Sequence, residues 1–121
     1  MKTNQIAKQL VAYCRQGNWN EAYDKLYAEK IISIEPYSTP FFEKETIGLN
    51  AVREKADVFQ NMIEKLNSLE VSDPLIAGNY LTFTITIDAI RKNIGRVVSP
   101  EICVYTVANG LIIKEQFFYD L

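Results

Sequence analysis

The sequence predicts an α+β fold: three helices, then a curved, mixed but mainly antiparallel sheet, with the helices closing one face of the sheet. Three observations carry this prediction. Apolar residues recur at helical spacing before residue 30 and again after Gly48. The stretch YLTFTITID (80–88) sets Leu81, Phe83, Ile85 and Ile87 against Tyr80, Thr82, Thr84 and Thr86, the period-two pattern of a sheet with two different faces. Asn109-Gly110 stands between two apolar runs and is the favoured two-residue hairpin turn.

From Thr3 to Gln16, the residues Ile6, Leu10, Val11, Tyr13 and Cys14 give one apolar stripe, with Thr3 as N-cap and Gly17 as the stop. Asn18 caps a second helix, with Glu21 three residues on as in a capping box and Ala22, Tyr23, Leu26 and Tyr27 on its buried side. The short strand IISIE (31–35) follows and ends in a carboxylate directly before Pro36. An irregular stretch punctuated by Pro40 and Gly48 leads to a third helix expected over residues 50–66, burying Val52, Ala56, Phe59, Ile63 and Leu66. The remainder reads as strands: 68–76, 80–88, 95–107 and 111–119. With no repeat, low-complexity tract or linker, residues 1–121 read as one domain.

Composition excludes several function classes. Apolar residues make up 48% and charged residues 23%, an ordinary globular mix that argues against disorder. Thirteen basic against 15 acidic side chains, with a net charge of -2 and no basic run, argue against a nucleic-acid partner. No stretch approaches the length of a membrane span and the N-terminal residues lack a signal peptide's apolar run, so a cytoplasmic protein is expected. The chain has no histidine, which removes the commonest general base near neutral pH and the commonest metal ligand. Cys14 and Cys103 lie far apart and outside any Cys-x-x-Cys pairing, so they read as buried thiols, and no metal or organic cofactor is expected. Acid-base chemistry therefore falls to carboxylates, tyrosines or lysines in a dry pocket.

The order of elements, together with LYAEKIISIEP (26–36), TIGLNAVREK (46–55) and VYTVANGLIIKEQFFYD (104–120), resembles the nuclear transport factor 2-like superfamily. Ketosteroid isomerases and SnoaL-like polyketide cyclases belong to it, and the resemblance spans essentially the whole chain. It implies a cystatin-like cone around a chamber. In the isomerases the residue before the proline that follows the first strand is an aspartate acting as general base; here that position is Glu35. The isomerases' two oxyanion donors correspond to Gln9 and Ile102, which cannot do the same work, and this argues against steroid isomerisation. Tyr27 matches a pocket tyrosine, and Tyr13 falls at a cavity-lining helix position.

Strand alternation puts Ile113, Glu115, Phe117 and Tyr119 on one side of the last strand, and the resemblance turns that side inward. Glu35 and Glu115 are thus the expected catalytic pair, with Asp120 as the alternative second acid. Two carboxylates sharing an apolar chamber push at least one pKa upward. Tyr13, Tyr27, Phe59, Phe83, Ile102, Phe117 and Tyr119 are the expected contacts to a hydrophobic small molecule. Alternation is read as placing Cys103, Tyr105, Val107 and Phe118 on the opposite sheet face, which is expected to form a homodimer.

Other readings stay open at this point. Glu35 can be a solvated strand end, and Glu115 can pair with Arg53, Lys55 or Arg91. Phe41 and Phe42 can be a lid over the chamber or a local plug. At the level of function, a cofactor-free acid-base enzyme of isomerase, cyclase or hydratase type stands beside a non-catalytic ligand-binding module and a dimeric interaction domain.

Overall fold

The computed structural model describes residues 1–120. Two helices, α1 (Thr3–Arg15) and α2 (Trp19–Leu26), precede strand β1 (Tyr27–Ile34) and the short β2 (Glu45–Ile47). Helix α3 (Leu49–Asn61) is followed by β3 (Ile63–Val71), β4 (Leu75–Ala77), β5 (Tyr80–Arg91), β6 (Gly95–Ala108) and β7 (Leu111–Phe118). The sheet order is β2-β1-β7-β6-β5-β3, with β4 also on the edge of β5. Among the described residues only β1 and β7 run parallel, and the other pairs are antiparallel, as the mixed sheet expected from the sequence requires.

The helices close one face of this sheet. Ile6, Ala7, Leu10, Val11 and Cys14 form the buried stripe of α1, and Ala22, Tyr23 and Leu26 that of α2. They meet Leu81, Phe83, Ile85 and Ile87 of β5 in one core cluster with Ile31 and Ile112. Arg15 ties the end of α1 to the β3–β4 connection by donating to the Val71 carbonyl and to Asp73.

Several boundaries differ from the sequence reading. Lys2, not Thr3, is the N-cap of α1, and its backbone N–H donates to Gln5 Oε1 at 2.9 Å. Asn18 does precede α2, but its side chain makes no capping hydrogen bond. Tyr27 is buried as the first residue of a strand rather than as the last turn of a helix, because it already pairs with Ile112 of β7. Helix α3 stops at Asn61, where residue 66 was expected; Ile63 and Leu66 belong to β3, which pairs with β5 from Ile63↔Arg91 to Val71↔Ile85. The helical spacing of Ile63 and Leu66 was real but weaker than the free edge of a twelve-residue strand. Leu66 is consequently 47% exposed, and Val52 is the only fully buried residue of α3.

The largest correction concerns which side of β6 faces inward. Phe83 pairs with Cys103 and Leu81 with Tyr105, and directly opposed residues share a face. Cys103, Tyr105 and Val107 therefore lie in the core, while Ile102 is 50% exposed on the outer face. A bulge then resets β7: Thr106 pairs with Lys114 and Val107 with Ile112, leaving Ile113 unmatched. Ile112 is fully buried, Ile113 turns outward, and Glu115 points inward as expected.

Candidate functional site

Three inward-facing rows build one wall of a pocket of about 480 Å³. Alternation along β1 turns Ile31, Ser33 and then Glu35 inward; β7 contributes Glu115 and Phe117; β6 contributes Glu101, Cys103 and Tyr105. Helix α3 roofs them with Lys55, Ala56 and Phe59, three positions of the same helical stripe as Val52. The loop after Glu35 completes the enclosure through Ser38, Thr39, Pro40, Phe41 and Phe42. Within that loop Thr39 Oγ1 accepts from the backbone N–H groups of Phe41 and Phe42, and the Glu35 N–H donates to the Lys44 carbonyl at 2.7 Å, so the loop's two ends are clipped together beside the carboxylate.

The polar side chains form one connected chain on an otherwise apolar surface. Tyr119 donates to Glu35 Oε1 at 2.8 Å, and Lys55 Nζ lies 3.2 Å from Glu35 Oε2. The same ammonium donates to Ser33 Oγ at 2.5 Å. Ser33 in turn donates to Glu115 Oε2 at 2.7 Å, while Tyr27 donates to Glu115 Oε1 at 2.5 Å. Glu35 is only 8% exposed and Glu115 3%, and among the described residues no buried side-chain polar atom lacks a partner. Such a network is stable because every member is satisfied, and it holds each carboxylate in one orientation.

Burial sets the protonation pattern. Desolvation raises the Glu115 pKa, against the hydrogen bonds from Tyr27 and Ser33, which favour its charged form. Glu101, half-buried in the pocket wall, is pushed up to about 7 by desolvation first and by the nearby charge of Glu35 second; Arg91 and Lys55 pull it partly back. Tyr119 is raised by burial and by its bond to Glu35, and Tyr27 and Tyr105 by burial, so all three are hydrogen-bond donors at neutral pH. Desolvation likewise keeps Cys14, raised to about 12, a neutral thiol.

Glu35, Glu115, Tyr27, Phe59, Phe83, Phe117 and Tyr119 of the sequence-predicted set all line this pocket. Tyr13 and Ile102 do not. Tyr13 packs half-buried against the core beside the α1 stripe, and Ile102 sits on the outer face for the register reason given above. Asp120 is exposed beyond the end of β7, so of the two candidates for the second acid only Glu115 lines the pocket, where Glu101 joins it. No direct pair joins Glu115 to Arg53, Lys55 or Arg91; Arg53 pairs with Asp24, and Lys55 reaches Glu115 only through Ser33. Sequence reasoning missed Ser33, Glu101 and the part played by Lys55. A signal existed for Lys55, a lone charge inside the stripe Val52, Ala56, Phe59. Glu101 had none, since its face depends on the pairing Ile85↔Glu101.

Among curated proteins none matches this chain. Among solved structures, a Mesorhizobium loti protein named as a SnoaL-like polyketide cyclase, with carbohydrate phosphatase in brackets, is 31% identical over 98% of this chain and 100% of its own, with a TM-score of 0.90. A Xanthomonas campestris protein with a cystatin-like fold is 14% identical (100% and 92% covered, TM-score 0.79), and a protein named as an isomerase from Bacillus subtilis is 17% identical (99% and 90% covered, TM-score 0.75). These two establish likeness of fold. The family model described as SnoaL-like domain matches residues 1–119, and with that match over nearly the whole length the chain belongs to the SnoaL-like family.

Proposed function

We propose that this protein is a cofactor-free acid-base catalyst that moves a proton on a hydrophobic small molecule, chemistry of the isomerase or cyclase type. One observation carries the reading: Glu35, held by Lys55 and Tyr119, opens onto a mainly apolar pocket of about 480 Å³ that also contains Glu101, whose pKa is about 7. An oriented carboxylate beside a carboxyl group that keeps its proton near neutrality is the arrangement that acid-base partition requires. In the proposed step Glu35 takes a proton from carbon alpha to a carbonyl. The electron pair moves onto the carbonyl oxygen, and the Glu101 carboxyl group stabilises that oxygen by donating a hydrogen bond; Glu35 then delivers its proton to another carbon of the enolate, which isomerises it, or trades it with solvent and delivers a solvent proton to the same carbon, which is exchange. The polyketide cyclase name of the Mesorhizobium relative supports a hydrophobic carbonyl substrate.

The test uses 2-tetralone, a neutral bicyclic ketone, in D2O, with NMR following loss of its alpha protons. The wild-type protein should accelerate exchange, and Glu35→Gln should lose about 100-fold or more of that acceleration while melting as a folded protein. Exchange by wild type no faster than with free glutamate at equal concentration would leave the pocket as a binding module.

The assembly belongs to the same proposal: a second copy of the chain covers the outer sheet face. Cys103, Tyr105 and Val107 turned out to be core, but the face still carries Ile102 and Phe118, which pair directly across β6 and β7 and are 50% and 46% exposed. Adjacent exposed apolar side chains on a sheet face favour a self-complementary contact.

A further inference from the structure

The chain has four arginines, and three are spoken for: Arg15 pairs with Asp73, Arg53 with Asp24 and Arg96 with Asp88. Arg91 is different. Among the described residues no carboxylate lies within ion-pair distance of it, and its guanidinium makes no hydrogen bond; its close partner is the ring of Phe59, at 5.6 Å from the centroid. It is also the one arginine that lines the pocket. The placement follows from alternation, since Arg91 continues the inward row Leu81, Phe83, Ile85, Ile87, Ala89 to the last residue of β5. The other pocket cation, Lys55, is already committed to Glu35 and Ser33.

The Arg91 N–H groups have no protein acceptor and, since among the described residues no buried polar atom lacks a partner, they stay accessible to solvent, where the planar fork fits a carboxylate with two parallel hydrogen bonds. Phe59 lies beside the guanidinium at cation–π distance, and both residues line the pocket. In the sheet order β7 and β6 lie between β1, which leads into Glu35, and β5, which ends in Arg91, eight residues beyond the Phe83 that pairs with Cys103 opposite Phe117. An acidic group at Arg91 therefore sits across the apolar pocket from the proton-transfer group.

We propose that the pocket's ligand is a hydrophobic carboxylic acid, anchored through its carboxylate to Arg91, with an apolar body that reaches the Glu35 side. This rests on the reading of the pocket as a small-molecule site and names the class of molecule. It also gives Arg91 a positioning role: the anchor sets which carbon meets Glu35.

The test is calorimetric titration with 2-naphthoate and with 2-naphthamide, its neutral counterpart of nearly the same shape. Wild type should bind naphthoate roughly 10-fold more tightly or better, the usual scale for one charge-assisted pair. Arg91→Gln should abolish that preference while leaving naphthamide binding within about 3-fold, and Arg91→Lys should restore part of it. If Arg91→Gln does not fold, the Arg91→Lys variant and the salt dependence of naphthoate binding to wild type carry the decision: the preference should shrink in both. Equal affinity for the two probes, no binding of either, or a preference that survives Arg91→Gln would overturn the proposal. The tetralone exchange reads the other question separately. Exchange without a naphthoate preference refutes the anchor and leaves the catalyst; an Arg91-dependent preference without exchange refutes the catalyst and leaves the anchor.

Discussion

Glu101 shows how one side chain can make the stability of a small domain depend on pH. Its carboxyl group holds a proton up to about 7 in the folded protein, against an ordinary glutamate value near 4.5. Between those two values the folded state binds more protons than the unfolded chain, so this group's contribution to stability is complete below about 4.5, falls as pH rises, and levels off above 7. Glu101→Gln removes the ionisation while keeping the shape. The variant should match wild type near pH 4.5 and be more stable at pH 8 by about 1–3 kcal/mol, an amount discounted for the partial exposure of the site. Urea unfolding of both proteins across this pH range checks it, and parallel stability curves would mean that Glu101 ionises freely in the fold. Glu115 titrates in a different setting, because Tyr27 and Ser33 both donate to its oxygens, so the Glu101 substitution isolates one carboxyl group from the other.

At the scale of elements, the β6–β7 hairpin places half of the site: Glu101, Cys103 and Tyr105 on one arm, Glu115 and Phe117 on the other. Its turn is built from Asn109 at φ 52° and Gly110 at φ 76°, and two successive positive values are what a tight right-twisting hairpin needs. A side chain at Gly110 meets a double penalty, since a Cβ there would also stand 2.9 Å from the Met1 backbone nitrogen. Gly110→Ala should destabilise the protein by about 1–2 kcal/mol, as read by thermal melting. An unchanged melting temperature would show that the hairpin register is held by its cross-strand pairs alone. The bulge after the turn has a functional consequence as well: by taking up Ile113 it lets Ile112 and Glu115 both point inward, which plain alternation forbids for residues three apart.

For the whole molecule, the two faces of the sheet divide the work. The inner face carries the pocket under the helices, and the outer face carries Ile102 and Phe118, both exposed. If a second copy covers that face, wild type sediments at micromolar concentration as a dimer of the 13.9 kDa chain, and Ile102→Glu shifts it to monomer without unfolding it. A wild-type monomer under those conditions would remove the dimer and leave the apolar face unexplained. No helix among the described residues is long and apolar enough to cross a membrane.

The sequence by itself determined the kinds of element, their order apart from the short β2 and β4, the hairpin turn at Asn109-Gly110 and the acid-Pro position of Glu35, because each rests on local chemistry: helical spacing, period-two alternation, turn preference. Through the absence of histidine it also limited any acid-base chemistry to carboxylates, tyrosines or lysines. Alternation, however, defines two sets of residues without saying which set is inside. Strand pairing decided that for β6, against the expectation that Ile102 faced the chamber, and a bulge decided it separately for the two ends of β7. Pairing with β5 likewise ended α3 at Asn61 and turned Ile63 and Leu66 into strand residues. Glu101 and Arg91 entered the pocket by the same route. Their roles depend on neighbours distant in the chain, on desolvation by the helices and on the charge of Glu35, and those exist only once the sheet has closed under its helices.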